Sequence, residues 1–296
     1  MRAGLVVLAL LLSGCASGGV ARPLGPLRVV AVENVWGSLA AQVGGPGVAV
    51  TDLISSPSAD PHSYEPTAED GRLVAQADLV IVNGIGYDGW ARKLVDASPS
   101  PRRVVLDVGQ VLGASAGSNP HRWYDPTAVR TVIAVLAADL ARLDPAQAGG
   151  FARRRASLEG TGLARYASVI AAIRGRFAGV AVGASESIVA MLTPALGLAL
   201  QTPPGWLTAI SEGTDPTSAD KVTADRQIAQ HLIKVYLYNP QNATPDVQAQ
   251  VAAARRAGIP VVAFSETLTP AGASFQDWQT RQLEALQAAL ASASGR

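Results

Sequence analysis

The sequence predicts an α/β fold, two parallel-sheet lobes joined by one long connecting helix. Three observations predict it. Short runs of Val, Ile and Leu alternate with helical stretches between residues 27 and 108. The alternation then gives way to a long amphipathic helical region ending near Phe177, and it resumes at Gly179. Apolar strands separated by helices imply parallel sheets covered on both faces.

Taken in order, Leu27 to Val32, Val48 to Ser55, Leu79 to Asn83 and Arg103 to Val108 are expected strands. The helical stretches between them are Trp36 to Val43, Thr67 to Ala77, which starts just after Pro66, and Trp90 to Ala97. Pro126 to Leu143 reads as an amphipathic helix, interrupted at Asp144-Pro145. A longer helix then carries apolar residues at Leu158, Leu163, Tyr166, Ile170 and Ile173, although Gly149, Gly150, Gly160 and Gly162 weaken its continuity. In the second block, strands are expected at Gly179 to Gly183, Leu198 to Gln201, Val235 to Tyr238 and Pro260 to Phe264. Helices are expected at Ser187 to Leu196, Ser218 to Ile233, Thr244 to Ala257 and Phe275 to Ser292. The division that follows is a first lobe over 27–144, a connecting helix over 145–177 and a second lobe over 178–296.

The N-terminus stands apart from this pattern. Arg2 precedes an apolar run, Leu5 to Leu12, too short to cross a bilayer as a permanent helix and matching the core of a secretory signal. The run ends in Leu12-Ser13-Gly14-Cys15, similar to the bacterial lipobox, in which the cysteine becomes the lipidated first residue. Residues 1–14 therefore read as a signal peptide and 15–26 as a small-residue tether on lipidated Cys15. Each buried methylene of the acyl chains contributes about 0.8 kcal/mol to membrane attachment. Cys15 is the only cysteine, which excludes an intramolecular disulfide.

Composition limits the partners. Among 296 residues, 24 are basic and 23 acidic, and no basic run or acidic tail stands out, so nothing favours nucleic acid. Hydrophobic residues make up 48% of the chain, ample for two cores.

Chemistry concentrates at predicted strand ends. Two of the three histidines occupy parallel contexts, Asp60-Pro61-His62 and Asn119-Pro120-His121, each after a strand of the first block. Open α/β sheets bind ligands at such carboxyl ends, and neutral imidazole suits zinc, manganese and their neighbours. Glu186 and Glu266 lie just beyond strands of the second block, in Ser185-Glu186-Ser187 and Ser265-Glu266-Thr267. Either one could equally be a helix-start capping residue. His231 precedes a strand and reads as structural.

Several further motifs follow in one order: Glu33-Asn34-Val35-Trp36-Gly37, His62-Ser63-Tyr64-Glu65-Pro66, Asn83-Gly84 with Tyr87-Asp88, His121-Arg122-Trp123-Tyr124-Asp125-Pro126, and Tyr238-Asn239-Pro240-Gln241. With these the chain resembles, over essentially its whole length, the zinc- and manganese-binding solute receptors of bacterial ABC importers. The resemblance implies a metal held between the lobes by His62, His121, Glu186 and Glu266. It also implies an ABC permease as partner, a monomeric receptor lipid-anchored outside the cytoplasm, and binding without catalysis. One divalent ion, Zn2+ or Mn2+, is the implied ligand. A surface adhesin and, behind it, a metal-dependent hydrolase are the alternatives.

Two features depart from the family pattern. Glutamate at 266 is one methylene longer than the usual aspartate, which leaves open whether it binds through one oxygen or two. The segment from Asp107 to Ser118 is short and histidine-free, unlike the long loop of many zinc receptors. Two carboxylates would neutralise a divalent ion. Single-oxygen donation suits zinc, and two-oxygen donation suits manganese. The two-histidine, two-carboxylate set tips the balance slightly to manganese.

Overall fold

Residues 25–59, 61–115 and 117–295 are described by a computed structural model of the chain. The signal segment, Cys15 and Asp60 lie outside these residues. Each strand run is short and mostly apolar, and each is followed by a helix that brings the chain back to the same end. The first half runs β1 (Leu27–Glu33), α1 (Asn34–Gly44), β2 (Val48–Ile54), α2 (Ala68–Gln76), β3 (Leu79–Val82), α3 (Gly89–Ala97), β4 (Val104–Asp107), α4 (Val108–Val111) and α5 (Pro126–Leu143). The connector comprises α6 (Ala148–Ser157) and α7 (Ala164–Phe177). The second half contains β5 (Ala181–Ala184), α8 (Thr193–Leu196), β6 (Ala199–Leu200), α9 (Pro204–Ser211) and α10 (Ser218–Ala229). It finishes with β7 (Val235–Tyr238), α11 (Pro245–Arg256), β8 (Val261–Ala263) and α12 (Phe275–Ser294).

Both sheets are parallel and four-stranded, in the orders β2-β1-β3-β4 and β6-β5-β7-β8. Strand order reverses beside β1 in the first sheet and beside β5 in the second. Crevices therefore open at the carboxyl ends of β1 and β3, and of β5 and β7. Alternation on the pleat explains the two faces of the first sheet. Val29, Ala31, Leu79 and Ile81 pack into the main core, while Val30, Val32, Val80 and Val82 face α2 and α3 with Val74, Ala91 and Val95.

The expected long connecting helix is present as two α-helical halves. Between them, Leu158–Gly162 forms a π-type turn in which Leu163 N donates to Leu158 O at 2.8 Å. Gly160 and Gly162 both lie in this turn, and a Cβ at Gly162 would stand 3.0 Å from Leu158 Cδ1. α6 packs against α1 and α5, whereas α7 packs against α8 and α12, so each half belongs to one lobe.

The main core is continuous across the lobes. Tyr124, two residues before α5, lies 5.8 Å from Phe264 and 5.6 Å from Trp278, ring centre to ring centre. Phe275 in turn lies 6.1 Å from Tyr166 of the connector. Polar bonds reinforce this seam. Asn34 Oδ1 accepts from Leu268 N, Ser38 Oγ accepts from Phe275 N, and Tyr124 Oη donates to Ser265 O. Among the described residues, no helix is long and apolar enough to cross a membrane.

Candidate metal centre

His62 sits on a one-turn 3-10 helix, Pro61–Ser63, beyond the carboxyl end of β2. His121 ends the loop after α4 and precedes another such turn, Arg122–Tyr124. That loop is held from below, where the Trp36 indole donates to Asn83 Oδ1 at 3.1 Å and Asn83 Nδ2 donates to Pro120 O at 2.9 Å. Glu186 follows β5 and Glu266 follows β8. Sequence reading left capping open for both glutamates. Glu186 precedes a 3-10 turn without capping it, and its side chain turns inward.

Three of the four expected residues converge. Donor atoms of His62, His121 and Glu266 all lie within 4.8 Å of one another. Glu266 Oε2 is 3.4 Å from His62 Nε2 and 3.5 Å from His121 Nε2. Bonds of 2.0–2.2 Å to one central ion place tetrahedral donors about 3.3–3.6 Å apart, against about 2.8–3.1 Å for octahedral donors. The two Glu266 spacings are short enough for these donors to share a single ion. Glu186 lies beside this trio, joined to it through Asn239. The Asn239 amide donates to Glu186 Oε1 at 2.8 Å and to Glu266 Oε1 at 2.7 Å.

Burial grades the site from one side to the other. His121, Glu186 and Glu266 are fully buried, while the His62 side chain is 21% exposed. His62 also borders a cavity of about 370 Å³, lined further by Tyr87, Asn119, Ser187 and Ser211. Tyr87 Oη donates to Glu266 Oε2 at 2.5 Å, and its ring stands edge-on to both imidazoles.

The His121 ring is oriented by Asn119. Asn119 Nδ2 donates to Ser187 O at 2.8 Å, so its Oδ1 faces His121 and accepts from His121 N and Nδ1, each at 2.9 Å. Nδ1 therefore carries the proton, and Nε2 turns its lone pair toward the centre. Asp125 and Glu65, which share the two histidine motifs, do different work. Asp125 caps α5 by accepting from Thr127 N and Ala128 N, and Glu65 is exposed.

Electrostatics separates the two glutamates. Burial pushes both upward. For Glu266, protonation of the imidazoles in the ion-free site would let His121, by hydrogen bond and charge, and then His62 overcome burial and hold the carboxyl at about 2. Glu186 stays raised, because burial outweighs the compensating pull of His121 and the Glu266 charge adds to it. Beneath the trio, burial and then the charge of Asp88 push the Glu33 carboxyl well up.

Sequence reading did not single out Ser211, which donates to Glu186 Oε2, nor the bonding of Tyr87 to Glu266. Ser211 closes α9, a helix that the adjoining prolines Pro203 and Pro204 disguised as a loop. His231 plays no part in the site. It is exposed, follows α10 and adopts a left-handed φ of 53°.

Residues 29–289 match the family described as zinc-uptake complex component A, periplasmic. The chain belongs to the ZnuA family. Among curated ZnuA-like relatives, the manganese-binding lipoprotein MntA of Halalkalibacterium halodurans is 29% identical over 148 residues, 48% of either chain. The iron-binding protein YfeA of Yersinia pestis is 29% identical over 132 residues, 43% of this chain and 42% of its own. These matches span less than half the length of either relative. The structure of the SBP FpvC from Pseudomonas aeruginosa in complex with Mn2+ superposes with a TM-score of 0.72 at 22% identity, over 90% of this chain and 99% of that one. That likeness shows the fold.

Proposed function

We propose that this ZnuA-family chain is the solute-binding component of a metal importer, capturing one divalent transition-metal ion, Mn2+ or Zn2+, and passing it to an ABC permease. The observation that carries the reading is the meeting of His62, His121 and Glu266 within 4.8 Å at the facing edges of two sheets. Two imidazoles and a carboxylate held ionised are a donor set for such an ion. Glu186 completes the charge balance, since two carboxylates neutralise a divalent cation in a buried cleft. Manganese- and iron-binding names among the relatives support a transition metal as cargo.

Capture suits the site better than catalysis. A metallohydrolase keeps an open coordination position with an acid-base residue beside it. Here Glu186 and Glu266 are engaged by Asn239, and by Ser211 and Tyr87 respectively. Acylation of Cys15 would tether the receptor outside the cytoplasm, next to the permease.

The test is stoichiometric metal binding by the mature protein, measured by elemental analysis and competition titration. Wild type takes up one ion. His121→Ala loses more than the roughly 10–100-fold typical of outer hydrogen-bond partners, because it removes a ligand. Unchanged affinity in His121→Ala would refute the reading.

A further inference from the structure

The turn Asn239-Pro240-Gln241 follows β7 at the point where strand order reverses in the second sheet. Asn239 is fully buried. Its Oδ1 accepts from Gln241 N at 2.9 Å, which fixes the amide orientation and points Nδ2 at the carboxylates. Each of the two amide hydrogens then has one acceptor, Oε1 of Glu186 at 2.8 Å and Oε1 of Glu266 at 2.7 Å. The donor capacity of Asn239 is used completely. Gln241 holds the same arrangement from behind. Its Oε1 accepts from Glu266 N at 2.6 Å, and its Nε2 donates at 2.6 Å to Ala59 O on the loop that leads to His62.

We propose that Asn239 sets the coordination number of the bound ion by reserving one oxygen of each carboxylate. The inference rests on the metal-receptor reading and deepens it. With Oε1 turned to Asn239, Glu266 presents Oε2 to the ion, the oxygen that also accepts from Tyr87 and stands 3.4 and 3.5 Å from the two imidazole nitrogens. Glu186 likewise has only Oε2 to offer, held until then by Ser211. Two imidazoles and two single oxygens make four donors. Four donors select ions content with four ligands, such as Zn2+ or Co2+, over Mn2+, which suits octahedral oxygen-rich sites. The extra methylene of Glu266 fits this arrangement, because a longer side chain presents one oxygen to the ion while the other stays on Asn239. Asn239 is thus a positioning residue for specificity and touches no metal itself.

The experiment loads the full mature chain with Co2+ and with Zn2+, and titrates Zn2+ against Mn2+ by chelator competition, in wild type and Asn239→Ala. Wild type is expected to give the intense visible bands of tetrahedral Co2+. Asn239→Ala is expected to lose them as freed Oε1 atoms join the ion, with the zinc-to-manganese affinity ratio falling about tenfold. An unchanged Co2+ spectrum and ratio in a folded Asn239→Ala variant would overturn the proposal. X-ray absorption on zinc-loaded wild type keeps the test decisive if the variant fails to fold, since four nitrogen and oxygen neighbours support the proposal and six refute it. Wild type binding neither metal would instead remove the receptor reading, a different result from normal binding with unaltered coordination.

Discussion

Asn119→Ala tests how the site is held. The side chain makes three hydrogen bonds, from His121 N and Nδ1 to its Oδ1 and from its Nδ2 to Ser187 O across the cleft. Each is worth about 0.5–1.5 kcal/mol net. Asn119 borders the cavity beside His62, so water replaces part of what is lost. A stability cost of about 2 kcal/mol follows, or a Tm lower by roughly 4–8 °C. Metal affinity should fall by about 10–100-fold, because nothing then fixes the tautomer and plane of His121. Asn119→Asp separates the two effects. It keeps an acceptor for Nδ1 and loses the donor to Ser187, so affinity stays within a few-fold while the thermal loss remains. The assays are chelator competition and thermal unfolding of the metal-free protein. Affinity within twofold of wild type in Asn119→Ala, alongside the expected loss of Tm, would refute the orienting role.

Three further outcomes follow. Metal affinity should weaken as pH falls through the range of free imidazole, near 6.5, since ligating nitrogens must be unprotonated, and a flat profile between pH 7.5 and 5.5 in a competition titration speaks against imidazole ligation. Asp52→Asn should stabilise the metal-free protein at pH 7.5 and change little at pH 4. Burial raises the Asp52 carboxyl from 3.8 to about 6, so its contribution is complete below 3.8 and lost as pH rises through about 6. The shift corresponds to roughly 3 kcal/mol, reduced to about 2 by partial exposure, and equal effects at both pH values in denaturant unfolding would refute this account. Gly84→Ala should destabilise by about 1–3 kcal/mol, because Gly84 has φ 72° and an added Cβ would stand 2.4 Å from Asp107 Oδ1, with thermal unfolding as the measure.

Much of this was legible in the sequence for identifiable reasons. Buried parallel strands are continuous apolar runs, so Val235–Tyr238 and Leu79–Val82 stand out. A Pro-His pair beyond a strand marks a loop at the ligand-binding edge, and both such histidines do meet there. Other features were hidden because they depend on distant partners. Tyr87 and Glu266 are 179 residues apart, and no local pattern announces their bond. Pro203-Pro204 looks like a helix breaker, yet proline is favoured in the first turn of a helix, where its missing N–H costs nothing. α9 and its terminal Ser211 were therefore missed. The π-type turn at 158–162 was foreshadowed only by Gly160 and Gly162, which mark weak helix without saying how the backbone accommodates them.

The aromatic ladder from Trp36 through Trp123, Tyr124 and Trp278 to Phe275 and Tyr166 has a mechanical consequence. Jaws hinged on the connector would have to tear rings apart and wet them, and burial of each large side chain is worth about 1.5–3 kcal/mol. The short turn bearing His62 lies outside this ladder, and its imidazole is 21% exposed. Release of an ion through that turn would leave the ladder of rings intact.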